Sequence, residues 1–478
     1  MDLEVFADHL EHPRGRDHVP PGSHPGAAGG ALCGDLIRIS IAVEGDRVSG
    51  AGFAASGCGA TTAAGSAAVE LVSGKPVLEA AKVGPDSLSE ELGGLSAAKR
   101  HAADLASDAL HSALGAAVRA DAAITPDPNR TLVAMSGGVD SAVAALLVAR
   151  AGREAVAVTL ELWRDPENDA EASCCSATAV RAARAVAHGM GMAHLTLDLR
   201  AEFRAGVVEP WLADHALGET PNPCVRCNGS VRLDAMLEHG DRLGAAELAT
   251  GHYARTTSDG LLRTAADPAK DQTYMLAAVA PASLARMRFP LGQLTKPEVR
   301  ALAAEAGLPV ASKADSQDLC FLAGTGRSAF LARHGGLRER PGAIVNLQGA
   351  EVGRHRGHHE YTVGQRKGIG ISAPEPFYVL RTDADANTVT VGPRDALATS
   401  RVKVRGATLH RPGVEVDAIK LRYRSRPLPC RLAGVSLPPG EHPTLEVDLL
   451  EPVLGAAPGQ SACLMRGEAI VGWATIDS

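Results

Sequence analysis

The chain has 478 residues, of which 45% are hydrophobic and 22% charged, and its formal net charge is −7. This length predicts three or four domains, and the acidic balance excludes a strongly basic nucleic-acid binder. The sequence holds no apolar run long enough to span a bilayer, and its N-terminus lacks the apolar stretch of a secretory signal. We therefore expect a cytoplasmic protein without a membrane partner.

The first segment of the chain, residues 1–122, carries nine basic and sixteen acidic residues and thus the whole net charge. Apolar alternation on both sides of an EGD turn predicts a β-hairpin over residues 36–53. Ala-rich stretches predict helices over residues 60–75 and 95–119. We expect a compact α+β domain that ends near residue 122 and is followed by a linker at ITPDPNR.

A second domain is predicted over residues 128–335. Its strands TLVAM, AVAVTLEL, HLTLDL and AELATG alternate with helical stretches, which indicates a doubly wound parallel sheet. Farther along, short alternating segments such as NTVTVGP and TLEVDLL indicate β structure. We divide this part into a small central domain, 336–400, and a C-terminal β-barrel, 401–478. The predicted fold class is multidomain α/β.

The sequence SGGVDS at residues 136–141 follows the first strand of the second domain and precedes a helix. Glycines there let backbone N–H groups approach an anion, and the helix N-terminus favours negative charge. The loop lacks the lysine of a Walker motif. It resembles the PP-loop of pyrophosphatases that cleave ATP between the α and β phosphates. This resemblance implies that Asp140 helps to hold Mg²⁺.

The nine cysteines of the chain fall into different classes. Closely spaced cysteines in a reducing compartment indicate metal or redox chemistry. Cys224 and Cys227 form a CxxC, and Cys320 follows later; three thiolates favour an iron–sulfur cluster with one open iron or a sulfur-transferring thiol pair. A structural thiolate site is the alternative. Cys430 and Cys463 are expected in the core, whereas the adjacent Cys174 and Cys175 have no assigned role.

Seven segments occur in order along residues 128–478. They are TPNPCVRCN, ATGHYAR, DPAKDQTYML, FPLGQLTKPEVRALAAEAGLPVASKADSQDLCF, HHEYTVGQRKGIGI, LRYRSRP and EPVLGAAPGQSACL. Together they resemble the tRNA-specific 2-thiouridylase family. The resemblance implies ATP-dependent thiolation of position 2 of the wobble uridine in tRNAs for Lys, Glu and Gln. In that reaction the uridine oxygen is adenylated, pyrophosphate leaves, and a sulfur nucleophile displaces AMP.

The resemblance also implies roles for individual residues, including extrusion of the target base from its stack. The residues that match the family's adenine nucleotide site are Ala134, Met135, Ser136, Gly137, Gly138, Val139, Asp140, Ser141, Leu160 and Gly251. Those that match its tRNA contacts are Asn222, Pro223, His252, Lys270, Asp271, Gln272, Arg422, Tyr423 and Gln460. Residues 401–431 form the most basic stretch, where we expect phosphate contacts.

The catalytic cysteines allow two versions of the sulfur transfer. In the family's usual description Cys320 carries a persulfide and Cys227 is the catalytic thiol. The position of Cys224 is often Asp in the family, and with Cys there three thiolates can hold a 4Fe-4S cluster whose open iron carries the transferred sulfide. We favour the cluster, and the Cys320 persulfide is the alternative.

The first segment resembles the U-type iron–sulfur scaffold domain in the order of LCGD, a hairpin, GCG and a last helix. That family holds zinc or a nascent cluster with three cysteines and an Asp. Here Ala102 occupies the third cysteine position, beside His101, so the implied ligands are Cys33, Asp35, Cys58 and His101. The alternative is a module without metal that only docks a cysteine desulfurase or another sulfur donor. Fusion would raise the effective concentration of the donor.

Two other functions compete with this interpretation. Another PP-loop enzyme, such as a 2-thiocytidine synthetase, is disfavoured by the KDQ, GQRKGIG and PGQSA segments. A non-catalytic iron–sulfur carrier is disfavoured by the intact SGGVDS loop. Cleavage of ATP to AMP and pyrophosphate in the presence of tRNA distinguishes the carrier from the enzyme.

Overall fold

A computed structural model describes residues 2–29, 34–165, 176–314, 319–372, 374–434 and 437–477. Cys33, Cys174, Cys175 and residues 315–318 of the DSQDLCF segment lie outside the described residues. No helix within the described part of the chain is long and apolar enough to cross a bilayer.

The chain forms two compact units. The first unit holds Met1–Arg200, Ala235–His252 and Arg286–Phe321, and the second holds Ala201–Asp234, Tyr253–Ala285 and Leu322–Ser478.

The front module, residues 1–122, is a three-stranded antiparallel sheet packed against helices. The predicted hairpin is confirmed, because two strands pair on either side of a turn at Gly45 and Asp46. The two predicted helices are confirmed as well, with ends that differ from the prediction by one to five residues. The elements of the module are α1 (Leu3–Glu11), β1 (His24–Gly29), β2 (Leu36–Glu44), β3 (Arg47–Ser56), α2 (Gly59–Val72), α3 (Val77–Ala80), α4 (Pro85–Glu91) and α5 (Arg100–Asp121).

Between the front module and residue 335, strands and helices alternate. The elements are β4 (Asp127–Ala134), α6 (Val139–Arg150), β5 (Glu154–Glu161), α7 (Ala177–Gly189), β6 (Ala193–Asp198), α8 (Arg200–Phe203), a π-helix (Arg204–Val208), α9 (Glu209–Ala216), α10 (Pro223–Arg226), a second π-helix (Cys227–Arg232), α11 (Leu233–Arg242), β7 (Ala245–Ala249), β8 (Arg255–Thr256), β9 (Leu262–Arg263), α12 (Thr273–Leu276), α13 (Pro281–Ala285), β10 (Met287–Arg288), α14 (Lys296–Glu305) and α15 (Arg327–Gly335).

The predicted parallel sheet is confirmed in the first unit. Its strand order is β10-β7-β4-β5-β6, and every neighbouring pair is parallel. Buried Leu132, Val133, Val156 and Val158 fill its centre, as expected for strands that are covered on both faces. The loop after β4 lies where the strand order reverses, the usual ligand position in such sheets.

The predicted linker ITPDPNR connects the front module to β4, but it is packed against the protein. Ile124 is buried, its N–H donates to the carbonyl oxygen of Arg242 at 2.9 Å, and β4 already begins at Asp127. Pro and Asn at these positions are tolerated because strand pairing resumes fully only from Arg130 onward. The segment therefore belongs to the packed first unit.

The second unit contains two β domains. The central one is a four-stranded sheet of order β12-β11-β14-β13, and the last one is a barrel in which β15-β18-β17-β16-β19-β20 closes through pairing of β15 with β20. Cys430 and Cys463 are buried in this barrel, as predicted. The elements are β11 (Gly342–Val345), β12 (Glu351–His355), β13 (Tyr378–Asp383), β14 (Thr388–Gly392), β15 (Ala398–Leu409), β16 (Ala418–Lys420), β17 (Leu428–Leu432), β18 (Gly440–Leu454), β19 (Ser461–Arg466) and β20 (Ala469–Ile476), with short 3-10 turns at His358–Glu360, Arg394–Leu397 and Gly413–Glu415.

Candidate active site

The nucleotide loop, residues 136–141, connects the end of β4 to the start of α6. The Ser141 hydroxyl accepts from the N–H of Ser136 at 3.1 Å and donates to the carbonyl oxygen of Gly138 at 3.1 Å. The chain after β7 reaches this loop at Gly251, where a Cβ atom would stand 2.7 Å from the Ser141 nitrogen. Only glycine permits that approach. The structure thus brings the loop and Gly251 together in the first unit.

The other residues predicted to bind ATP lie in the strands beneath this loop. Ala134 and Met135 are buried at the end of β4, and Leu160 is buried in the adjacent β5. The N–H of Met135 donates to the carbonyl oxygen of Val158 at 2.8 Å, which ties the two strands together at the loop. These residues form the buried apolar layer that holds the nucleotide loop in place.

Two lysines that the sequence analysis did not single out reach the nucleotide loop from distant segments. Buried Lys296, at the first position of α14, places its Nζ 2.7 and 2.8 Å from the two carboxylate oxygens of Asp140. Lys313 donates to the carbonyl oxygen of Gly137 at 2.8 Å. The capping box of Thr295 and Glu298 marks in the sequence where α14 begins, but not that Lys296 meets Asp140.

The donor set of this loop fits a nucleotide and a hard divalent cation. The Gly-rich backbone and the start of α6 suit phosphate oxygens, the Lys296 ammonium suits their charge, and the Asp140 carboxylate is the ligand type that Mg²⁺ prefers. A Cβ on Gly251 would fill the space above the loop. The site therefore meets the chemical demands of ATP with Mg²⁺.

The helix that carries the CxxC begins at Asn222 in the second unit. The Asn222 side chain accepts from the N–H of Cys224 at 3.1 Å, and Pro223 occupies the first helical position; both features start helices efficiently. The N–H of Cys227 donates to the carbonyl oxygen of Cys224. The two thiols are therefore one helical turn apart on one face, a spacing that lets both ligate the same metal centre.

Residues predicted to contact tRNA surround this helix start. Tyr274, fully buried, lies with its ring centroid 6.3 Å from that of Tyr423. Burial raises the pKa of Tyr423, and the nearby Cys224 and Asp271 act in the same direction, whereas Arg424 and Lys270 oppose it. Tyr423 is half-buried, and its ring partner Tyr274 lies in α12, which packs against the cysteine-bearing helix.

Gln460, which is also predicted to contact tRNA, anchors the segment before this helix. Its amide donates to the carbonyl oxygen of Thr220, two residues before the helix cap. The backbone N–H of Thr220 in turn donates to the carbonyl oxygen of Pro458 at 2.9 Å. The barrel turn around Gln460 therefore positions the start of the cysteine-bearing helix.

Two predicted tRNA contacts turn their side chains into the protein. The buried Asp271 carboxylate accepts from the Thr273 hydroxyl at 2.9 Å and pairs with Lys420 at 3.3 Å. The Gln272 side chain accepts from the N–H of Tyr253 at 3.0 Å. The Asp271 carboxylate and the Gln272 side-chain oxygen thus position neighbouring segments, and contact of Lys270, Asp271 and Gln272 with RNA stays a prediction.

The remaining predicted positions divide between the units. Arg422 is exposed in the second unit, and its guanidinium donates to the carbonyl oxygen of Gly455 at 2.8 Å. His252 lies in the first unit beside Gly251, with its Nδ1 2.9 Å from the Thr250 hydroxyl. Cys320 lies near the end of the first unit. The structure therefore groups the nucleotide residues in one unit and most predicted RNA contacts in the other.

The basic stretch 401–431, where phosphate contacts are predicted, carries many ion pairs. Some of the acidic partners lie on a neighbouring barrel strand and others on loops outside the barrel strands. The ion pairs are Arg401 with Asp448 and Glu446, Lys403 with Asp477, Arg405 with Glu219 and Asp477, Arg411 with Asp259, Lys420 with Asp271, and Arg426 with Glu451. Phosphate contacts from this stretch are therefore expected at Arg422 and Arg424, which lie in the turn after β16.

Three of the four implied ligands of the front module converge. Asp35, Cys58 and His101 offer ligand atoms that all lie within 4.8 Å of one another. The Asp35 carboxylate accepts from the Cys58 N–H at 2.9 Å and lies 3.1 Å from His101 Nε2. The Cys58 N–H is the main reason that the pKa of Asp35 falls to about 2. Thr61, which sequence analysis missed, donates to the same carboxylate at 2.9 Å.

This cluster combines a thiol, an imidazole and a carboxylate, a ligand set that zinc accepts. Cys58 is exposed, Asp35 is buried, and Ala102 is buried behind them. The fourth implied ligand, Cys33, lies outside the described residues. The arrangement can bind a cation or present the Cys58 thiol to an incoming sulfur donor.

Comparison with known proteins agrees with this geometry. Four family models match in order: a NifU-like N terminal domain over residues 2–120, a tRNA methyl transferase HUP domain over 129–324, a tRNA methyl transferase PRC-barrel domain over 328–393 and an aminomethyltransferase beta-barrel domain over 397–476. A bifunctional protein NifU/MnmA of Rubrobacter xylanophilus is 43% identical over 95% of this chain and 94% of its own length.

The chain belongs to the tRNA-specific 2-thiouridylase family, with a NifU-like module in front. Family members without that module match the remainder. The tRNA-specific 2-thiouridylase MnmA of Methylorubrum extorquens is 43% identical over 72% of this chain and 91% of its own length, and that of Thermus thermophilus is 42% identical over 73% and 94%. The predicted family, fold class and enzyme class, a tRNA-uridine 2-sulfurtransferase of the 2-thiouridylase family, are confirmed.

Proposed function

We propose that this thiouridylase family member uses ATP to thiolate position 2 of the wobble uridine of tRNAs for Lys, Glu and Gln. One observation carries the proposal: the CxxC helix begins at Asn222 and Pro223 and packs against α12, whose Tyr274 contacts the ring of Tyr423. A thiol pair beside side chains that match the family's tRNA contacts is what sulfur transfer to a base requires.

The nucleotide loop performs the activation step. Its backbone and Lys296 hold the β and γ phosphates, so that negative charge on the departing pyrophosphate is met by a cation that is already in place. The uridine O2 attacks the α phosphorus, and the bond from phosphorus to the bridging oxygen of pyrophosphate breaks. The adenylated oxygen is then a good leaving group, and a sulfur nucleophile displaces AMP at C2.

The sulfur is supplied at the cysteines. Cys224 and Cys227 lie one helical turn apart, and with Cys320 they would hold a 4Fe-4S cluster, which, when bound, supplies sulfide at its open iron. The residues of the chain hold and orient that sulfur and exclude water. The alternative is a persulfide on Cys320 that gives its outer sulfur to the base, with Cys227 attacking to release it; the resulting disulfide then needs a thiol reductant.

The front module would bind zinc through Asp35, Cys58 and His101, or it would receive sulfur on the Cys58 thiol. The converging thiol, imidazole and carboxylate support either use. A cysteine desulfurase is the class of donor that delivers sulfur as a persulfide to an exposed thiol such as Cys58.

The test uses anaerobically reconstituted full-length protein. Iron and sulfide per chain are measured, and then single-turnover thiolation of tRNA with ATP and sulfide, with nucleoside mass analysis to distinguish 2-thiouridine from 2-thiocytidine. Cys224→Ala should lose both iron and thiolation, whereas Cys58→Ala, a matched thiol removal in the front module, should keep both. Thiolation by iron-free protein with a desulfurase would favour the Cys320 persulfide, and the absence of pyrophosphate release would contradict the proposed function.

A further inference from the structure

The front module packs on the edge of the parallel sheet. Strand β6 stands last in the strand order, and α5 lies against it. The two backbones approach at Gly115, where a Cβ atom would overlap the carbonyl oxygen of Thr196. Glycine weakens a helix interior relative to alanine, so its presence in the middle of α5 indicates that this position serves the close approach to β6.

Hydrogen bonds cross this contact in both directions. His111 of α5 places its Nδ1 2.9 Å from the carbonyl oxygen of His194 in β6. His188 of α7 places its Nε2 3.0 Å from the carbonyl oxygen of Ala81 in the front module, and the backbone N–H of His194 donates to the same oxygen at 3.0 Å. These bonds fix both the distance and the rotation of the module.

A buried ion pair adds to the contact. Arg184 of α7 is 3% exposed, and its guanidinium donates to Asp108 of α5 at 2.5 Å. Arg181 donates to the other oxygen of the same carboxylate at 2.7 Å. Separation of the two parts would break both contacts of the Asp108 carboxylate with α7.

We propose that this contact of α5 with β6 and α7, here called the seam, is a docking interface that holds the front module in place independently of the covalent connection. The front module then keeps one fixed position on the parallel sheet and does not move freely on a flexible linker. His101, one of the candidate ligands, lies in α5 seven residues before Asp108, so the helix that forms the seam also carries one ligand of the front cluster. A sulfur donor bound there would meet the enzyme in one orientation, a consequence that rests on the proposed function.

The experiment cuts the connection in the folded full-length protein. A recognition sequence for a specific protease is inserted between Thr125 and Pro126, which are exposed. After cleavage, gel filtration and native mass spectrometry should show both fragments in one complex. Separation of the fragments of the otherwise unchanged chain at micromolar concentration would overturn the proposal.

Two glycine variants locate the interface. Gly115→Ala adds a methyl group inside the seam, whereas Gly189→Ala adds the same group in α7 with nothing within 4 Å. After cleavage the Gly115→Ala fragments should separate and the Gly189→Ala fragments should stay together. Co-elution of the Gly115→Ala fragments would contradict the assignment of the seam. If Gly115→Ala does not fold, the cleavage result with the unchanged seam still decides.

Thiolation with inorganic sulfide is measured on the same cleaved samples. Because free sulfide does not need delivery by the front module, this assay reports on the catalytic cysteines alone. A complex that stays together but does not thiolate tRNA would contradict the proposed function and support the seam. Fragments that separate but still thiolate tRNA with sulfide would contradict the seam and support the proposed function.

Discussion

Two lysine–carboxylate pairs lie next to segments with predicted functions, and they differ in how much of the carboxylate is exposed to a ligand. In the first unit Lys296 forms an ion pair with Asp140, whose side chain is still 33% exposed. In the second unit Lys420 pairs with Asp271, whose side chain is 5% exposed and also accepts from Thr273 and from the N–H of Ala265. The Asp140 carboxylate is accessible to a cation, whereas that of Asp271 is already satisfied by the protein.

This difference in exposure predicts that the Asp140 pair matters mainly for catalysis and the Asp271 pair mainly for stability. An exposed carboxylate loses little when its partner is removed, because water replaces the lost contact. A buried one cannot be rehydrated, so removal of either partner leaves an unpaired charge. Substitution at the two pairs should therefore affect different measurements.

Asp271→Ala should have the largest effect. Loss of the carboxylate leaves the Lys420 ammonium, whose side chain is 12% exposed, without its partner, which should lower the free energy of unfolding by up to about 3 kcal/mol. Urea unfolding followed by circular dichroism measures this. The double variant Asp271→Ala, Lys420→Met should recover part of the loss. A single variant as stable as the parent protein would show that Asp271 is not structural.

Lys296→Ala should reduce chemistry more than stability. Removal of the cation beside the departing pyrophosphate should slow pyrophosphate release in a single turnover by about 100-fold. Lys313→Ala is the control, because that lysine donates to a carbonyl oxygen of the same loop and not to Asp140; its loss should be about tenfold or less. Equal effects of the two variants would contradict a special role for Lys296.

The seam offers a third kind of polar site, because its histidines are held uncharged. Burial lowers the pKa of His111 and of His194 well below 6.5, and it also lowers that of His188. The unfolded chain therefore binds more protons than the folded one below pH 6.5, so stability is full above that value and falls as the pH drops. Each histidine should contribute up to about 1.4 kcal/mol per pH unit.

Urea unfolding at about pH 7.5, 6.5 and 5.5 measures the loss of stability on acidification for the parent chain and for His111→Gln. The variant should show a shallower loss of stability on acidification, because one titrating group is gone. His111 faces His188, His194 and Arg184, and Arg184 pairs with Asp108, so the remaining slope reports the other two rings. Identical slopes in both proteins would show that His111 does not titrate with folding.

Sequence could predict what is contiguous. The SGGVDS loop, the CxxC helix and the alternating strands each depend on neighbours in the chain, and the nucleotide loop and the parallel sheet were located from them. Lys296 and Thr61 could not be found this way, since each meets its partner, Asp140 or Asp35, across a long stretch of sequence. Their contacts depend on where helix ends fall in three dimensions.

Two segments have partners that composition does not predict. The ITPDPNR segment has linker composition, yet hydrogen bonds of Ile124 to Arg242 and of Asp127 to Gly244 hold it beside the start of β7. The basic stretch 401–431 is cationic in the sequence, but antiparallel pairing brings Asp448 opposite Arg401 and neutralises the charge. Composition describes a segment, whereas charge and mobility depend on its partners.

The smallest expected effect is at Asn222, which is both a helix cap and a predicted RNA contact. Asn222→Ala removes the acceptor for the Cys224 N–H and should lower the free energy of unfolding by about 1 kcal/mol. Asn222→Ser keeps a capping oxygen but removes the amide, so stability should return to within a few tenths of a kcal/mol. Urea unfolding and the KM for tRNA are measured on both variants. If serine restores stability while the KM stays raised, the amide contacts RNA; if serine restores both, Asn222 acts only by positioning Cys224.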